Sequence, residues 1–219
     1  MKSKFLIYTI INFSLVLTSC SLDINIDSDE IITKKRKLSI FNEVDVENDI
    51  EVIIKQGPEQ SVKVTTRDDF QKKVITTVSA GKLTVRINGT LTKKLNILRL
   101  EITMPNITRL VLSSDSFGKL LGFENLDAFR LKLSNDSSIS LLSGSSNSID
   151  IDASSDAKIE GFDFETKTCH VKCTSDASIY ITCSEVLSGS VSSDAVLFYK
   201  GNPTVNVSTS SDGSVINSN

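Results

Sequence analysis

The sequence contains no tryptophan, one histidine, 3 prolines and 10 glycines in 219 residues, and aromatic residues make up only 6% of it. The absence of tryptophan leaves little of the aromatic platform that sugar-binding sites use. No Ser-His-Asp arrangement, phosphate-binding loop or zinc-ligand spacing is present. The single histidine, His170, is expected on the outward face of a strand, which does not favour a metal site. We therefore predict no catalytic residues and no cofactor, apart from the weak Ca²⁺ binding considered below.

An excess of basic residues is also absent, since the net charge is −3. Nucleic-acid binding would need a clustered basic face, and the only basic cluster, residues 34–37, is short enough to be a solvated linker. Serine, valine, isoleucine, leucine and threonine dominate instead, and β-branched side chains favour strands over helices. A chain of 219 residues has room for one domain with a real core, or for two small ones.

The N-terminus carries the pattern of an export signal. Lys2 and Lys4 precede a 13-residue apolar stretch, residues 5–17, which suits a signal peptide better than a membrane span. The stretch ends in Leu17-Thr18-Ser19-Cys20, which resembles the lipobox of bacterial lipoproteins. In such proteins the cysteine becomes the first mature residue and carries acyl chains.

We therefore predict three segments: a lipoprotein signal peptide over residues 1–19, a lipidated Cys20 with a polar tether over residues 20–37, and one domain over residues 38–219. Acyl chains on Cys20 would anchor the protein in the outer membrane. In some bacterial lipoproteins, acidic residues just after the lipidated cysteine act as a signal for export to the cell surface. Here the acidic residues alternate with apolar ones and match such a signal only loosely. The cell surface and the periplasmic face therefore both remain open as locations.

A short motif centred on an aspartate recurs six times in the second half of the chain. It reads Leu-Ser-Ser-Asp-Ser at residues 112–116 and Ala-Ser-Ser-Asp-Ala at residues 153–157, and successive aspartates are 21, 20, 20, 18 and 18 residues apart. Before each aspartate, apolar and polar residues alternate, as over residues 129–133, which is typical of a half-buried strand. A second apolar column follows three residues after the aspartate, as at Ile159.

This repeat predicts an all-β fold, a right-handed parallel β-helix (β-solenoid) whose coils contain about 20 residues. Each coil would consist of a strand, a corner of small residues and a second strand. Coils stacked about 4.8 Å apart would bury the apolar columns between them. A leucine-rich repeat has a similar period but would need an Asn or Cys ladder, which is absent.

The first half of the chain is less regular but also predicts strands, over residues 41–55, 61–66, 74–79, 82–88 and 98–104. We expect residues 38–104 to form the less regular N-terminal end of the same solenoid and to cover its exposed edge. A separate small β domain is the alternative.

The sequence resembles the head GIN domain family over residues 40–219. The resemblance rests on Phe41-Asn42-Glu43-Val44-Asp45-Val46, on residues 78–85 with Gly81-Lys82-Leu83, on Pro105, and on Tyr199-Lys200-Gly201-Asn202-Pro203. Members of this family are described as putative auto-transporter adhesins and are common among Bacteroidetes lipoproteins. The resemblance implies a solenoid fold and a role in adhesion, and it carries over no catalytic residues. The family's corners are usually rich in glycine, whereas this chain has serine and aspartate there.

The repeated aspartates are the candidate site residues. Aligned on successive coils, neighbouring carboxylates would lie about 5 Å apart and would repel each other by about 1 kcal/mol in water. Divalent cations would relieve this repulsion and oxygen ligands suit Ca²⁺, so we predict weak Ca²⁺ binding. The alternative is that each aspartate accepts hydrogen bonds from corner N–H groups and points into solvent. The ladder comprises Asp115, Asp136, Asp156, Asp176, Asp194 and Asp212.

Three cysteines follow Cys20 in the chain. Cys169 and Cys173 share one face of a predicted strand and would lie about 13 Å apart along it, which is too far for a disulfide. Together with Cys183 they are predicted to be buried free thiols that act as small apolar side chains.

The predicted function is that of a non-enzymatic cell-envelope lipoprotein whose solenoid presents a long polar surface for adhesion. Its partners would be the membrane, through the lipid anchor, and a host or envelope glycan or protein. One alternative is a structural envelope protein that faces the periplasm. A second is a polysaccharide-active β-helix enzyme, since two carboxylates about 5 to 5.5 Å apart could act as nucleophile and acid.

Overall fold

The computed structural model describes residues 30–89 and 97–219. The predicted signal peptide, Cys20 and the first part of the tether lie outside the described residues. Within them the chain forms strands and one 3-10 turn, Asp68–Phe70, and no helix there is long and apolar enough to cross a membrane. The strands are β1 (Ile31–Arg36), β2 (Glu43–Glu47), β3 (Glu51–Gln56), β4 (Ser61–Arg67), β5 (Val74–Ser79), β6 (Lys82–Ile87), β7 (Arg99–Met104), β8 (Arg109–Ser113), β9 (Phe117–Leu121), β10 (Phe123–Ser134), β11 (Ser138–Leu141), β12 (Gly144–Ala153), β13 (Lys158–Thr174), β14 (Ser178–Ser192), β15 (Val196–Lys200), β16 (Thr204–Ser210) and β17 (Ser214–Asn217).

Most of these strands stack in parallel as the coils of a solenoid. One sheet follows the order β2–β8–β10–β12–β13–β14–β16. The second sheet follows the order β3–β9–β11–β13–β14–β15–β17. β13 and β14 belong to both sheets because each is long enough to run from the second sheet of one coil into the first sheet of the next. The predicted parallel β-solenoid with coils of about 20 residues is confirmed.

Alternate residues of both sheets point into one continuous apolar core. Ile159, Ile179 and Leu197 pair on neighbouring coils and are 0% exposed, which confirms the second apolar column. On the first sheet, Leu131 and Ile151 form a matching column that is equally buried. Two short strands could not shield these side chains alone, so the stability of the fold comes from stacking one coil on the next.

The first half of the chain covers the outer edge of the first coil. β6 and β7 pair in parallel with β2 and β3, on the side opposite the repeats. β5 and β4 then pair antiparallel with β6 and β7. Phe70 and Val74 from this part belong to the same buried cluster as the repeats. β6 and β7 therefore occupy the edge that the first coil would otherwise expose, and the antiparallel β4 and β5 extend the sheet beyond them.

The C-terminal part of the predicted tether is a strand, β1. Ile31–Arg36 pairs antiparallel with β4, Lys34 Nζ lies 2.8 Å from Asp68 Oδ1, and Arg36 donates a hydrogen bond of 2.9 Å to the backbone oxygen of Gln71. Most of the basic cluster that we expected in a solvated linker therefore belongs to a strand. Charged side chains on such an edge strand hinder pairing with other chains.

Each corner of the repeats places two consecutive residues in the left-handed region. The dihedral φ lies between 46° and 56° at the residue before the aspartate and between 59° and 62° at the aspartate. Positive φ at both central residues is the pattern of type I′ turns, in which glycine, asparagine and aspartate are favoured. At the first five repeat corners the residue after the aspartate is small and buried, as at Ser137, Ala157 and Ala177, because it points into the core.

The corners are also hydrogen-bonded to each other through the backbone. At the five repeat corners from Asp115 to Asp194, the aspartate N–H donates to the carbonyl oxygen of the residue that precedes the aspartate in the next coil, at 3.0 to 3.1 Å. The same bond joins Asp49 to Ser114, so a seventh corner lies in the first coil. The chain turns there at Asn48 and Asp49, with φ of 70° and 29°. The single strand predicted over residues 41–55 is therefore two strands, β2 and β3.

Candidate functional site

The outward surface of the first sheet is a charged face, defined by Glu43, Arg109, Arg130, Asp150 and His170. Neighbouring coils place opposite charges side by side, with 3.8 Å between Arg109 and Glu43 and 3.4 Å between Arg130 and Asp150. His170 Nδ1 lies 3.2 Å from Ser188 Oγ. All five side chains line a shallow groove of about 710 Å³. The charges along this groove largely compensate one another.

The outward surface of the second sheet is an aromatic face, defined by Leu142, Phe162, Tyr180, Phe198 and Ile216. Tyr180 and Phe198 stack with ring centroids 4.6 Å apart and an interplanar angle of 5°. Phe162 meets Tyr180 at 5.6 Å and 89°, an edge-on contact. Leu142 and Ile216 are 43% and 42% exposed. A group of partly exposed apolar side chains of this kind marks an interaction surface.

These rings point outward because of their position in the coil. The residue four places after each corner aspartate faces away from the core of the second sheet, and on four successive coils it is Glu160, Tyr180, Phe198 and Ile216. Neighbouring coils are about 4.8 Å apart, close to the 4.6 Å between the rings of Tyr180 and Phe198. The parallel ring stack therefore follows from the strand register.

Two lysines and a glutamate surround the rings. Lys200 Nζ lies 4.5 Å from the ring centroid of Phe162, and Lys158 Nζ lies 5.8 Å from that of Tyr180. Lys158 also forms an ion pair of 2.7 Å with Glu160. The hydrogen bond between these two side chains lowers the pKa of Glu160 and raises the pKa of Lys158. Both groups therefore stay charged at neutral pH.

A cavity of about 250 Å³ opens beside the rings on this face. Its lining combines apolar surface with polar groups. Ser140 Oγ lies 3.3 Å from Glu160 Oε2 and donates to it, so the carboxylate is held from two sides, by Ser140 and by Lys158. Apolar surface with a few fixed polar groups beside it is the usual composition of a ligand site. The lining side chains are Ser140, Leu142, Glu160, Phe162, Asp163 and Tyr180.

The predicted aspartate ladder lies along one edge of the solenoid. Asp115, Asp136, Asp156, Asp176, Asp194 and Asp212 are all exposed, one on each coil, and Asp49 of the first corner continues the line. Among the described residues, no three His, Cys, Asp or Glu side chains come together as a metal site would require. Weak Ca²⁺ binding along the ladder stays a prediction, and an unchanged melting temperature in millimolar Ca²⁺ would rule it out.

The three cysteines of the described residues are buried and free, which confirms their predicted state. The contact between Cys169 and Cys183 was not predicted. A hydrogen bond with the Cys183 thiol, together with burial, raises the pKa of Cys169. Burial raises the pKa of Cys173 to about 12. Spacing along one strand could not reveal the pair, because its two members lie on neighbouring coils.

Comparison with known proteins identifies relatives of this fold. A family model described as "Putative auto-transporter adhesin, head GIN domain" matches residues 40–203. A putative adhesin from Bacteroides fragilis is similar in structure, with a TM-score of 0.68 at 16% identity over 87% of this chain and 98% of its own. No curated protein matches the sequence.

Two solved structures from Parabacteroides distasonis share the same architecture. One, a putative lipid binding protein, has a TM-score of 0.58 at 11% identity and covers 86% of this chain and 97% of its own. The other, a putative adhesin, has a TM-score of 0.52 at 16% identity and covers 88% and 98%. At these identities the likeness shows a common fold.

Proposed function

Since the chain belongs to the head GIN domain family, we propose that it is a non-enzymatic, adhesin-like module of the cell envelope that binds its partner through the aromatic face. The family description and the solved adhesin-like structures support the general role. The choice of surface comes from the geometry of this chain.

The observation that carries the proposal is the partly exposed ring cluster of Phe162, Tyr180 and Phe198. A partner that covers apolar surface gains roughly 25 cal/mol for each Å² removed from water, and aromatic side chains dominate the energetics of interfaces. We expected a polar surface to serve adhesion. The aromatic face is the better candidate because the side chains of the charged face already pair with each other.

The lipobox-like segment supports a place in the envelope. Acyl chains on Cys20 would hold the solenoid to the outer membrane, and the short segment before β1 would connect the anchor to the first strand. Adhesion to a host or to another cell requires the surface side of that membrane. A solenoid on the periplasmic side would instead serve as a structural envelope protein.

Protease treatment of intact cells tests this location. We expect the full-length protein to be digested in intact cells and a Cys20→Ala variant to leave the membrane fraction, both followed by immunoblotting. A periplasmic protein kept in place by its membrane anchor serves as the control for membrane integrity. Protection of the solenoid until the outer membrane is disrupted would exclude the adhesin role and favour the structural one.

Attachment of cells that display the full chain tests the binding surface. On mucin-coated plates, we expect a Tyr180→Ser/Phe198→Ser variant to attach about tenfold less than the wild type, because such central aromatic residues carry most interface energy. Lys172→Ser, on the outward side of the first sheet, is the matched control and should attach normally. Equal attachment by all three proteins would contradict the proposal.

A further inference from the structure

We propose that the cavity beside Phe162 and Tyr180 is a subsite for an uncharged sugar unit of a polysaccharide. This inference rests on the proposed binding function and names the ligand class for the same face. It also revises the expectation that the chain has little of an aromatic platform, because three of its few aromatic residues are gathered on neighbouring coils.

The rings supply the apolar half of the subsite. A pyranose ring has C–H groups that pack against apolar surface and a rim of hydroxyl groups that need hydrogen-bond partners. Phe162 and Tyr180 both line the cavity, and each is partly exposed. Its volume of about 250 Å³ has room for a single sugar ring.

The polar half of the subsite is held in place before any ligand arrives. Glu160 is fixed by Lys158 at 2.7 Å and by Ser140 at 3.3 Å. An ionised carboxylate has about four lone-pair sites, so its remaining acceptor positions can receive hydrogen bonds from sugar hydroxyls. Asp163 is exposed at the same cavity and offers a second carboxylate. A preformed acceptor loses little freedom on binding, which favours affinity.

The charges around the cavity select a neutral ligand. Glu160 and Asp163 line it and would repel an anionic sugar such as a uronate. Lys158 and Lys200 lie over the two rings and would repel a cation that approached the same ring faces. With two charges of each sign, the surroundings have no net charge, which fits a ligand that is uncharged and rich in hydroxyl groups.

The ring stack gives the subsite a direction. From the cavity, Tyr180, Phe198 and Ile216 follow each other on successive coils at the same register position. A polymer that places one sugar in the cavity can therefore continue along the solenoid axis over apolar surface. An isolated monosaccharide would contact only the first of these side chains, so we expect oligosaccharides to bind more tightly than single sugars.

Affinity electrophoresis and calorimetry with the purified full chain test this inference. The probes are four uncharged polysaccharides (laminarin, mannan, dextran and xyloglucan) and one anionic polymer, polygalacturonate. We expect binding to at least one uncharged polymer and none to polygalacturonate. Quenching of tyrosine fluorescence gives a second measurement, since Tyr180 and Tyr199 are the only tyrosines among residues 30–219.

Substitutions locate the binding on the structure. Tyr180→Leu should weaken binding at least tenfold, and the milder Glu160→Gln should weaken it several-fold without loss of folding. Lys172→Ala is the matched control on the other sheet. Unchanged melting curves would show that each variant is folded, and an unchanged affinity of a folded Tyr180→Leu variant would overturn the assignment.

Failure of this inference differs visibly from failure of the proposed function. No binding to any of the four uncharged polymers, or binding to polygalacturonate alone, would overturn the sugar subsite. Attachment to mucin that is retained by the wild type and lost in the Tyr180→Ser/Phe198→Ser variant would then keep the adhesin role and point to a protein partner. If the protein neither binds the uncharged polymers nor attaches to mucin through the aromatic face, the proposed function is excluded as well.

Discussion

Burial sets the acid–base behaviour of individual residues in the core, and Cys173 shows it most directly. Its side chain is 0% exposed and its Sγ donates to the carbonyl oxygen of Ala177 at 3.3 Å. The pKa of its thiol rises to about 12 because the thiolate would lose its hydration. In the unfolded chain the same thiol ionises near pH 8.5.

This difference predicts a loss of stability at alkaline pH. The stabilisation linked to Cys173 is complete below about pH 8.5 and is lost as pH rises towards 12, by about 1.4 kcal/mol for each pH unit. We expect a Cys173→Val variant, which copies Val191 at the same position of the next coil, to lose less stability between about pH 9 and pH 11. Urea unfolding under reducing conditions measures the difference, and parallel pH profiles would contradict it.

Among the structural elements, the corner turns carry the most unusual backbone. Ser155 and Asp156 have φ of 55° and 60°, a conformation that costs a non-glycine residue about 1 to 2 kcal/mol. Aspartate tolerates it better than most side chains, whereas a β-branched residue is strongly disfavoured there. The choice of aspartate at every corner therefore has a conformational reason, apart from any role of its charge.

A pair of substitutions separates conformation from charge at this corner. Asp156→Asn should leave the free energy of unfolding within about 0.5 kcal/mol of the wild type, and Asp156→Val should lower it by about 1 to 2 kcal/mol. Asp152→Val, in the strand of the same coil, is the control because valine suits a strand. Chemical denaturation provides the values. Equal effects of valine at positions 152 and 156 would argue against backbone strain at the corner.

The repeated corners were also the elements that the sequence revealed best. Each one combines a small residue, an aspartate and flanking alternation, so six of the seven could be recognised. The corner at Asn48 and Asp49 was not predicted, because the residue after it is Ile50 rather than a small residue. In addition, β4 to β7 lie between this corner and the next one, so the period of about 20 residues is interrupted. Period-two alternation alone does not show where a strand bends.

The aromatic face shows the same limit of sequence analysis. Composition indicated few aromatic residues and little of an aromatic platform for sugars, yet Tyr180 and Phe198 occupy equivalent places on successive coils. An alignment of the repeats on their aspartates would have shown this, since both follow the corner aspartate by four residues. The contact between Cys169 and Cys183 could not be found in this way, because it depends on an irregular register between β13 and β14.

For the whole molecule, modular stacking predicts that one entire coil can be removed. Deletion of residues 137–156 joins Asp136 to Ala157 and restores a complete corner, so we expect a folded, less stable protein with a single unfolding transition and a smaller urea m-value. Deletion of the ten residues 142–151 shifts the following strands by half a coil and should prevent folding. Circular dichroism and urea titration distinguish the two, and loss of structure in both would contradict independent coils.

The backbone bonds between the corners also give the molecule an electrical polarity. At the five inner corners, the peptide group before the aspartate accepts a hydrogen bond from one neighbouring coil through its oxygen and donates one to the other neighbour through its N–H. The amide before Asp49 only donates such a bond, and the amide before Asp212 only accepts one. Seven amides are thus aligned head to tail, and dipoles of about 3.5 D each add along the axis as they do in an α-helix. The positive end of this column lies at the last coil and the negative end at the first coil. The last coil is therefore the end that favours an anionic neighbour, and the first coil is the end that favours a cationic one.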